Sequence, residues 1–298
     1  MTSDNEDIVP DLTFREFWER QVDATPDRDF LIYGNQRFTY SEVDRTANRV
    51  AAGLRAQGIE AGDRIGLLLP SDRELLDLGL AIHNKNAVMV PMIYGLTAPE
   101  VAYVVDHAEP TMCITDAASF ESLVAAGDVP GSGRTTWRTF GVPKDTPGAA
   151  PVQPAELLYA DTEQRPAPSG IGPTDPMAIM YTSGSTGKPK GVLQPSRGIV
   201  GAGVLIADRL DMGADDTVFC CLPLFHAAAT HMLLAPAIAL KVYVAWTAKK
   251  GDGMYQSGLR FVDLEGSSQQ LIHKYVKSRQ AIEKRLHTLE EVDPFEVM

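Results

Sequence analysis

Tyr181-Thr182-Ser183-Gly184-Ser185-Thr186-Gly187-Lys188-Pro189-Lys190-Gly191 follows directly on an apolar, strand-like run from Met177 to Tyr181. Eleven residues hold four serine and threonine hydroxyls, three glycines and two lysines. Glycines let backbone N–H groups come close to an anion, while hydroxyls and ammonium groups add further donors. The chemistry on offer is a cradle for a polyphosphate. The spacing is not that of a Walker A loop, and no G-x-G-x-x-G occurs, so neither common nucleotide-binding fingerprint applies. By composition alone the same stretch also reads as a Ser/Gly-rich surface turn that happens to carry lysines.

Upstream, helix starts and strands alternate at short spacing. Thr13 with Glu16 has the pattern of a capping box ahead of Phe14, Phe17, Trp18 and Val22. Phe30 to Tyr33 and Arg37 to Tyr40 read as strands joined at Gly34-Asn35. Ser41 is expected to cap a helix with Val43, Ala47, Val50, Ala51 and Leu54 on one face, stopped at Gly58. Ile65 to Leu69 is a buried-strand run, Ser71 is expected to open a helix through Leu80 and Ile82, and Ala87 to Val90 is again strand-like. Thr97, Pro99 and Glu100 signal a further helix to His107, followed by a strand from Thr111 to Thr115. This order predicts an α/β fold of layered, parallel-rich sheets flanked by helices. From Ala125 to Pro176 the Pro-, Gly- and Ala-rich sequence reads as a surface connection.

The quoted stretch closely resembles the signature of the adenylate-forming superfamily, which includes acyl-CoA synthetases, luciferases and the adenylation domains of peptide synthetases. Other blocks fall in the same order. Arg37-Phe-Thr-Tyr-Ser-Glu42, the Ala-Asn-Arg-Val helix, Gly62-Asp-Arg-Ile-Gly-Leu-Leu-Leu-Pro70, Ala87-Val-Met-Val-Pro91 and Leu222-Pro-Leu-Phe-His226 resemble blocks of the acyl-CoA ligase branch. The resemblance covers about residues 12 to 240, as the truncated large domain of an acyl-CoA synthetase-like fold.

That resemblance implies a two-step reaction. A carboxylic acid and Mg-ATP give acyl-AMP and pyrophosphate, and a thiol, CoA, then displaces AMP. It implies that Thr182, Ser183, Gly184, Ser185, Thr186, Gly187, Lys188 and Lys190 hold the β- and γ-phosphates of ATP, with Thr186 toward Mg²⁺ and Lys190 neutralising charge during transfer. His226 would stand at the acyl-binding wall beside the reacting carboxylate. Spacing alone reads His226 as a half-buried structural histidine after a strand. His231, five residues on, points away from His226 on a helix, so a two-histidine metal face is not expected.

After Leu240 the family pattern stops. Its Tyr-Gly-x-Thr-Glu adenine block, Thr-Gly-Asp ribose block, hinge and lysine-bearing C-terminal domain do not appear before Met298, which points to an incomplete, inactive enzyme. Residues 1–240 carry 18 basic and 31 acidic side chains, whereas 241–298 carry 9 and 8, a shift consistent with a tail of different origin. Within that α+β tail, Val242 to Trp246 and Gly258 to Leu264 read as strands, and Ser267 or Ser268 as a helix cap. Gly258-Leu-Arg-Phe-Val-Asp-Leu264 and the following helix resemble the closing strand and helix of a PilZ domain, a cyclic-di-GMP receptor barrel. A divergent end of the ligase domain, a non-enzymatic regulatory chain and a gene-fusion product are the alternatives.

Bulk properties narrow the class further. A net charge of -12 disfavours a broad nucleic-acid or anionic-membrane surface, because both need an excess of Lys and Arg. Cys113, Cys220 and Cys221 lack the spacing of a metal knuckle or redox pair, which makes a reducing, cytoplasmic setting the default. The acidic N-terminus resembles no secretion signal, and no apolar run approaches the ~20 residues that span a bilayer.

Overall fold

A computed structural model describes residues 10–33, 35–127, 129–131, 133–141, 152–182, 188–213, 216–220, 222–230, 235 and 243–246. Contacts divide the chain into two units, 1–256 and 257–298. The second lies wholly outside the described residues, and with it the strand 258–264 and the helix after Ser267 expected from sequence. In chain order the described elements are α1 (Phe14–Ala24), β1 (Asp29–Tyr33), β2 (Gln36–Thr39), α2 (Tyr40–Ala56), β3 (Arg64–Leu68), α3 (Arg73–Asn84), β4 (Val88–Pro91), α4 (Ala98–Ala108), β5 (Met112–Asp116), α5 (Ala117–Ala125), β6 (Thr136–Phe140), β7 (Gln153–Pro154), a 3-10 turn (Ala155–Leu158), β8 (Pro176–Thr182), β9 (Lys190–Pro195), α6 (Ser196–Arg209), β10 (Thr217–Phe219), a helical turn (Ala227–Ala229) and β11 (Tyr243–Trp246).

Two sheets organise the first unit. The larger runs β7-β6-β5-β3-β4-β8-β9, parallel throughout except for the antiparallel β8–β9 pair at one edge. Its central strands are apolar on both faces because both faces are covered. Ile65, Leu67, Met112 and Ile114 belong to a core shared with α1, α2, α3 and α6. Leu68 and Cys113 point to a second core with Val101, Val104 and Val105 of α4 and Phe120 and Leu123 of α5. The smaller sheet runs β10-β11-β1-β2. Its β11, read from sequence as part of the tail, pairs in parallel with both β1 and β10.

Capping chemistry decides several boundaries. Glu16 accepts from the N–H and Oγ1 of Thr13, and Glu100 does the same for Thr97. The second helix starts earlier than expected, with Thr39 rather than Ser41 as its cap, because Glu42 stands three residues after Thr39 and closes that box. Ser71 likewise does not cap α3; its hydroxyl accepts from the Leu224 N–H at 2.9 Å.

The stretch from 125 to 176 is less open than its composition suggests. Thr136–Phe140 adds a parallel strand to β5, with Trp137, Arg138 and Thr139 buried. Gly53 of α2 allows the close approach of the 3-10 turn, since a Cβ there would lie 2.0 Å from the Leu158 carbonyl oxygen. Residues 160–169 form a strap held by arginines: Arg49 donates to the Ala160 carbonyl, Arg15 to those of Pro166 and Ala167, and Arg165 pairs with Asp23 and Asp44.

Asp44 is the hinge of a buried polar chain. It accepts from Trp18 Nε1 at 2.8 Å and from Asn48 Nδ2 at 3.0 Å, and Asn48 accepts in turn from Asn84. Trp18 packs against Phe30 and Tyr40, with centroids 4.9 and 5.6 Å away. Asp44→Ala strands two buried donors, Trp18 Nε1 and Asn48 Nδ2, each costing about 1–3 kcal/mol when left without a partner. We expect a loss of about 2 kcal/mol or more in urea unfolding followed by tryptophan fluorescence; a loss below about 1 kcal/mol would show the chain to be dispensable.

Two buried titratable groups on α3 oppose one another. Burial lowers the His83 pKa to about 3, and its ring packs edge-on against Phe14. Burial raises the Asp77 carboxyl to about 6, although Arg73 Nε lies 2.7 Å away and acts in the opposite direction. Below pH 6.5 the unfolded chain takes up a proton at His83 that the folded chain refuses until about pH 3, so stability falls with acid by about 1.4 kcal/mol per pH unit. Asp77 is protonated in the folded chain near pH 6 but in the unfolded chain only near 3.8, so it adds stability as pH drops through that window. His83→Leu removes only the first contribution. Its stability relative to the parent is expected to improve by about 1.6 kcal/mol between pH 6.5 and 5 in urea titrations; a difference independent of pH would refute the assignment.

Candidate functional site

The hydroxyl- and lysine-rich stretch is the tip of the β8–β9 hairpin. Register runs Ile179↔Leu193, Met180↔Val192, Tyr181↔Gly191 and Thr182↔Lys190. The hairpin therefore brings Thr182 and Lys190 opposite each other at the mouth of the tip, both exposed. Ser183, Gly184, Ser185, Thr186 and Gly187 lie outside the described residues. Lys188 is exposed, with its Nζ 5.3 Å from the centroid of the Tyr103 ring. Two ammonium groups and a hydroxyl at one end of an edge hairpin form a donor set suited to a multiply charged anion.

Gly191 has a different job from the one its place in the stretch suggests. A Cβ there would come within 2.9 Å of Ile179 Cγ2 and 3.2 Å of the Tyr181 ring. The glycine leaves room for the Tyr181 ring to lie across the hairpin. Burial, with Tyr103 a second cause, raises the Tyr181 pKa to about 12, which keeps its hydroxyl protonated.

His226 sits on the turn after β10. That turn is tied to the start of α3 by the Leu224 N–H donating to Ser71 Oγ, and Leu224 itself is buried. The His226 N–H donates to the Pro223 carbonyl, and its own carbonyl accepts from the Ala229 N–H, both at 2.9 Å. Its side chain is exposed, not half-buried as the spacing suggested. His231 lies outside the described residues.

Sequence reasoning did not single out Tyr103 and His107, which touch the hairpin from α4. The available signal was their i, i+4 spacing on the side of the helix opposite Val101, Val104, Val105 and Ala108. Among the described residues no group of three or more His, Cys, Asp or Glu side chains is arranged to hold a metal ion. A Mg²⁺ at this site would be held chiefly by the phosphates that carry it, which fits a donor set of hydroxyls and ammonium groups. Among the described residues no helix is long and apolar enough to cross a membrane.

Comparison with known proteins gives the same part of the chain its relatives. It is 30% identical over 219 residues to a feruloyl-CoA synthase from Amycolatopsis sp., covering 74% of this chain and 40% of the relative. It is 34% identical over 205 residues to the long-chain-fatty-acid–CoA ligase FadD13 of Mycobacterium tuberculosis, covering 68% of this chain and 38% of the relative. The chain thus spans about two fifths of the length of these curated relatives. Among solved structures, the inhibitor-bound N-terminal domain of FACL13 from Mycobacterium tuberculosis superposes with a TM-score of 0.67 at 28% identity, over 78% of this chain and 57% of that one. Apo MbtA from Mycobacterium smegmatis matches in fold, with a TM-score of 0.68 at 22% identity over 80% of this chain and 44% of that one. The model of the AMP-binding enzyme family matches residues 18–249, most of the chain. With both sheets and the hydroxyl- and lysine-rich hairpin inside that span, this protein belongs to the AMP-binding enzyme family.

Proposed function

We propose that this chain carries the phosphate-holding part of a site for ATP-dependent carboxylate activation. A carboxylate oxygen attacks the α-phosphate of ATP, the bond to the bridging oxygen of the β-phosphate breaks, and pyrophosphate leaves acyl-AMP behind. A thiol of the CoA class then displaces AMP to give the thioester. The observation that carries this reading is the pairing of Thr182 with Lys190 at the mouth of a hairpin whose tip bears three more hydroxyls.

Charge dictates the roles. The leaving pyrophosphate gains negative charge as the α–β bridge breaks, so fixed cations near the β- and γ-phosphates stabilise the transition state more than the ground state. Lys190 takes that role, with Lys188, Thr182, Ser183, Ser185 and Thr186 as donors around it. Gly184 and Gly187 would let the backbone come close to a phosphate, and Thr186 would supply an oxygen to the Mg²⁺ that the triphosphate carries. His226, exposed on a turn tied to α3, stands on the carboxylate side. The names of the curated relatives, a feruloyl-CoA synthase and a long-chain-fatty-acid–CoA ligase, favour an acid with an apolar body.

Within the 298 residues no adenine or ribose block of the family pattern occurs. We therefore infer that these residues alone bind MgATP weakly and do not turn it over. Titration calorimetry with MgATP is expected to show binding that Lys190→Ala weakens about tenfold or more, as loss of a charge-assisted contact implies, with Thr186→Ala weaker by a smaller factor. Absence of binding in the parent, or equal affinity in both variants, would sink the reading. Exchange of labelled pyrophosphate into ATP with a panel of carboxylates is expected to stay at background, and robust exchange would show that residues 1–298 suffice for the first half-reaction.

A further inference from the structure

The phosphate hairpin is gripped at both stems by one helix. On the entering stem, His107 Nδ1 lies 2.7 Å from the Tyr181 hydroxyl, and the two rings meet edge-on. On the leaving stem, the Tyr103 hydroxyl donates to the Pro189 carbonyl at 2.9 Å. Tyr103 and His107 stack on each other, with centroids 5.7 Å apart and planes at 21°. One continuous contact therefore runs from Tyr181 through His107 and Tyr103 to Pro189. Lys188 lies over the outer Tyr103 ring, in reach of a weak cation–π attraction.

Tyr103 and Tyr181 pack against the rim of the buried core that holds α4 to the sheet, and His107 lies exposed beyond it. Val101, Val104, Val105 and Ala108 enter that core from the opposite side of the helix, whereas Tyr103 is only half-buried. Those four buried apolar side chains are what seat the helix on the sheet. What the contact from Tyr181 to Pro189 does is define where residues 182 and 188, the two ends of the tip, stand relative to one another.

We propose that Tyr103 and His107 are positioning residues for the phosphate-holding hairpin, pinning its two stems so that the tip presents its donors at a set separation, and that Tyr103 also keeps Lys188 in a resting place from which a polyphosphate draws it. This rests on the reading of the tip as a phosphate site. The geometry yields two effects of opposite sign on affinity. The hydroxyl contact to Pro189 pre-orders the tip and favours binding, whereas the ring contact with Lys188 must be broken and opposes it.

The two separate by substitution. Tyr103→Phe removes the hydroxyl but leaves the ring. It is expected to weaken MgATP and magnesium tripolyphosphate binding about 3- to 10-fold, the ordinary worth of one hydrogen bond, and to speed amide hydrogen exchange at Lys190 and Gly191 several-fold. Tyr103→Leu frees Lys188 as well, so its affinity is expected to exceed that of Tyr103→Phe at equal exchange rates. His107→Gln keeps an acceptor for the Tyr181 hydroxyl and should behave as the parent, while His107→Ala should loosen the Tyr181 and Thr182 amides and weaken binding.

A merely structural role would lower the melting temperature and leave the ratio between tripolyphosphate-binding variants unchanged, with no rescue by His107→Gln. That outcome, or exchange and affinity within twofold of the parent in Tyr103→Phe, overturns the proposal. If the parent itself binds neither MgATP nor tripolyphosphate, the phosphate-site reading fails and the role in binding falls with it. If the parent binds and the variants match it, only the positioning role fails.

Discussion

Everything at the candidate site follows from the burial of β3, β4 and β5 on both faces. A strand covered on each side leaves no room for lysines or unpaired hydroxyls along its length, so polar chemistry is driven to the strand ends and the sheet edge. The β8–β9 hairpin occupies that edge. Its inner strand contributes Met177, Ala178 and Met180 to the core, while Thr182 at its end and Lys190, Val192 and Leu193 of the outer strand meet solvent. The same seven-residue strand thus anchors in the core along its length and ends in an exposed hydroxyl at Thr182.

Charged groups enter the interior around α1–α3 in two ways, saturated by partners or made neutral. Asp44 is held by Trp18, Asn48 and Arg165, and the strap over α1 and α2 is fastened largely by arginines donating to backbone carbonyls. His83 and Asp77 are buried with their pKa values moved toward the uncharged form, His83 downward and Asp77 upward. The cations of the hairpin tip are in the opposite condition. Lys188 and Lys190 are exposed, which leaves their charge available to an arriving anion.

Much of the architecture could be read from residue order because local signals agree with tertiary demands. The boxes at Thr13 and Thr97, the positive-φ stop at Gly58 and the apolar runs at 65–69 and 88–91 all combine propensity with burial. Failures occurred where two local candidates competed or where a partner supplied the missing half. Ser41 and Ser71 are sound caps by type, yet Glu42 selects Thr39 and the Leu224 N–H claims Ser71. Thr136–Phe140 is a strand because β5 offers it a ladder, not because its own pattern is strong. The outer strand Lys190–Pro195 contains a glycine and ends in a proline, so period-2 alternation gave no sign of it.

Around the candidate site, the residue types of the hydroxyl- and lysine-rich stretch could be read directly, since donors and glycines in a fixed order are a chemical statement in themselves. Residue order by itself thus determined the α/β class, the family and the donor set, all of which depend on side-chain chemistry and short-range pattern. Only the tertiary structure decided that the stretch is an antiparallel hairpin tip at the sheet edge, that Gly191 yields space to Tyr181, and that Tyr103 and His107 hold its stems. Those facts depend on which helix lies across which strand. That choice is made by burial of apolar faces between segments some 80 residues apart, and no local pattern carries it.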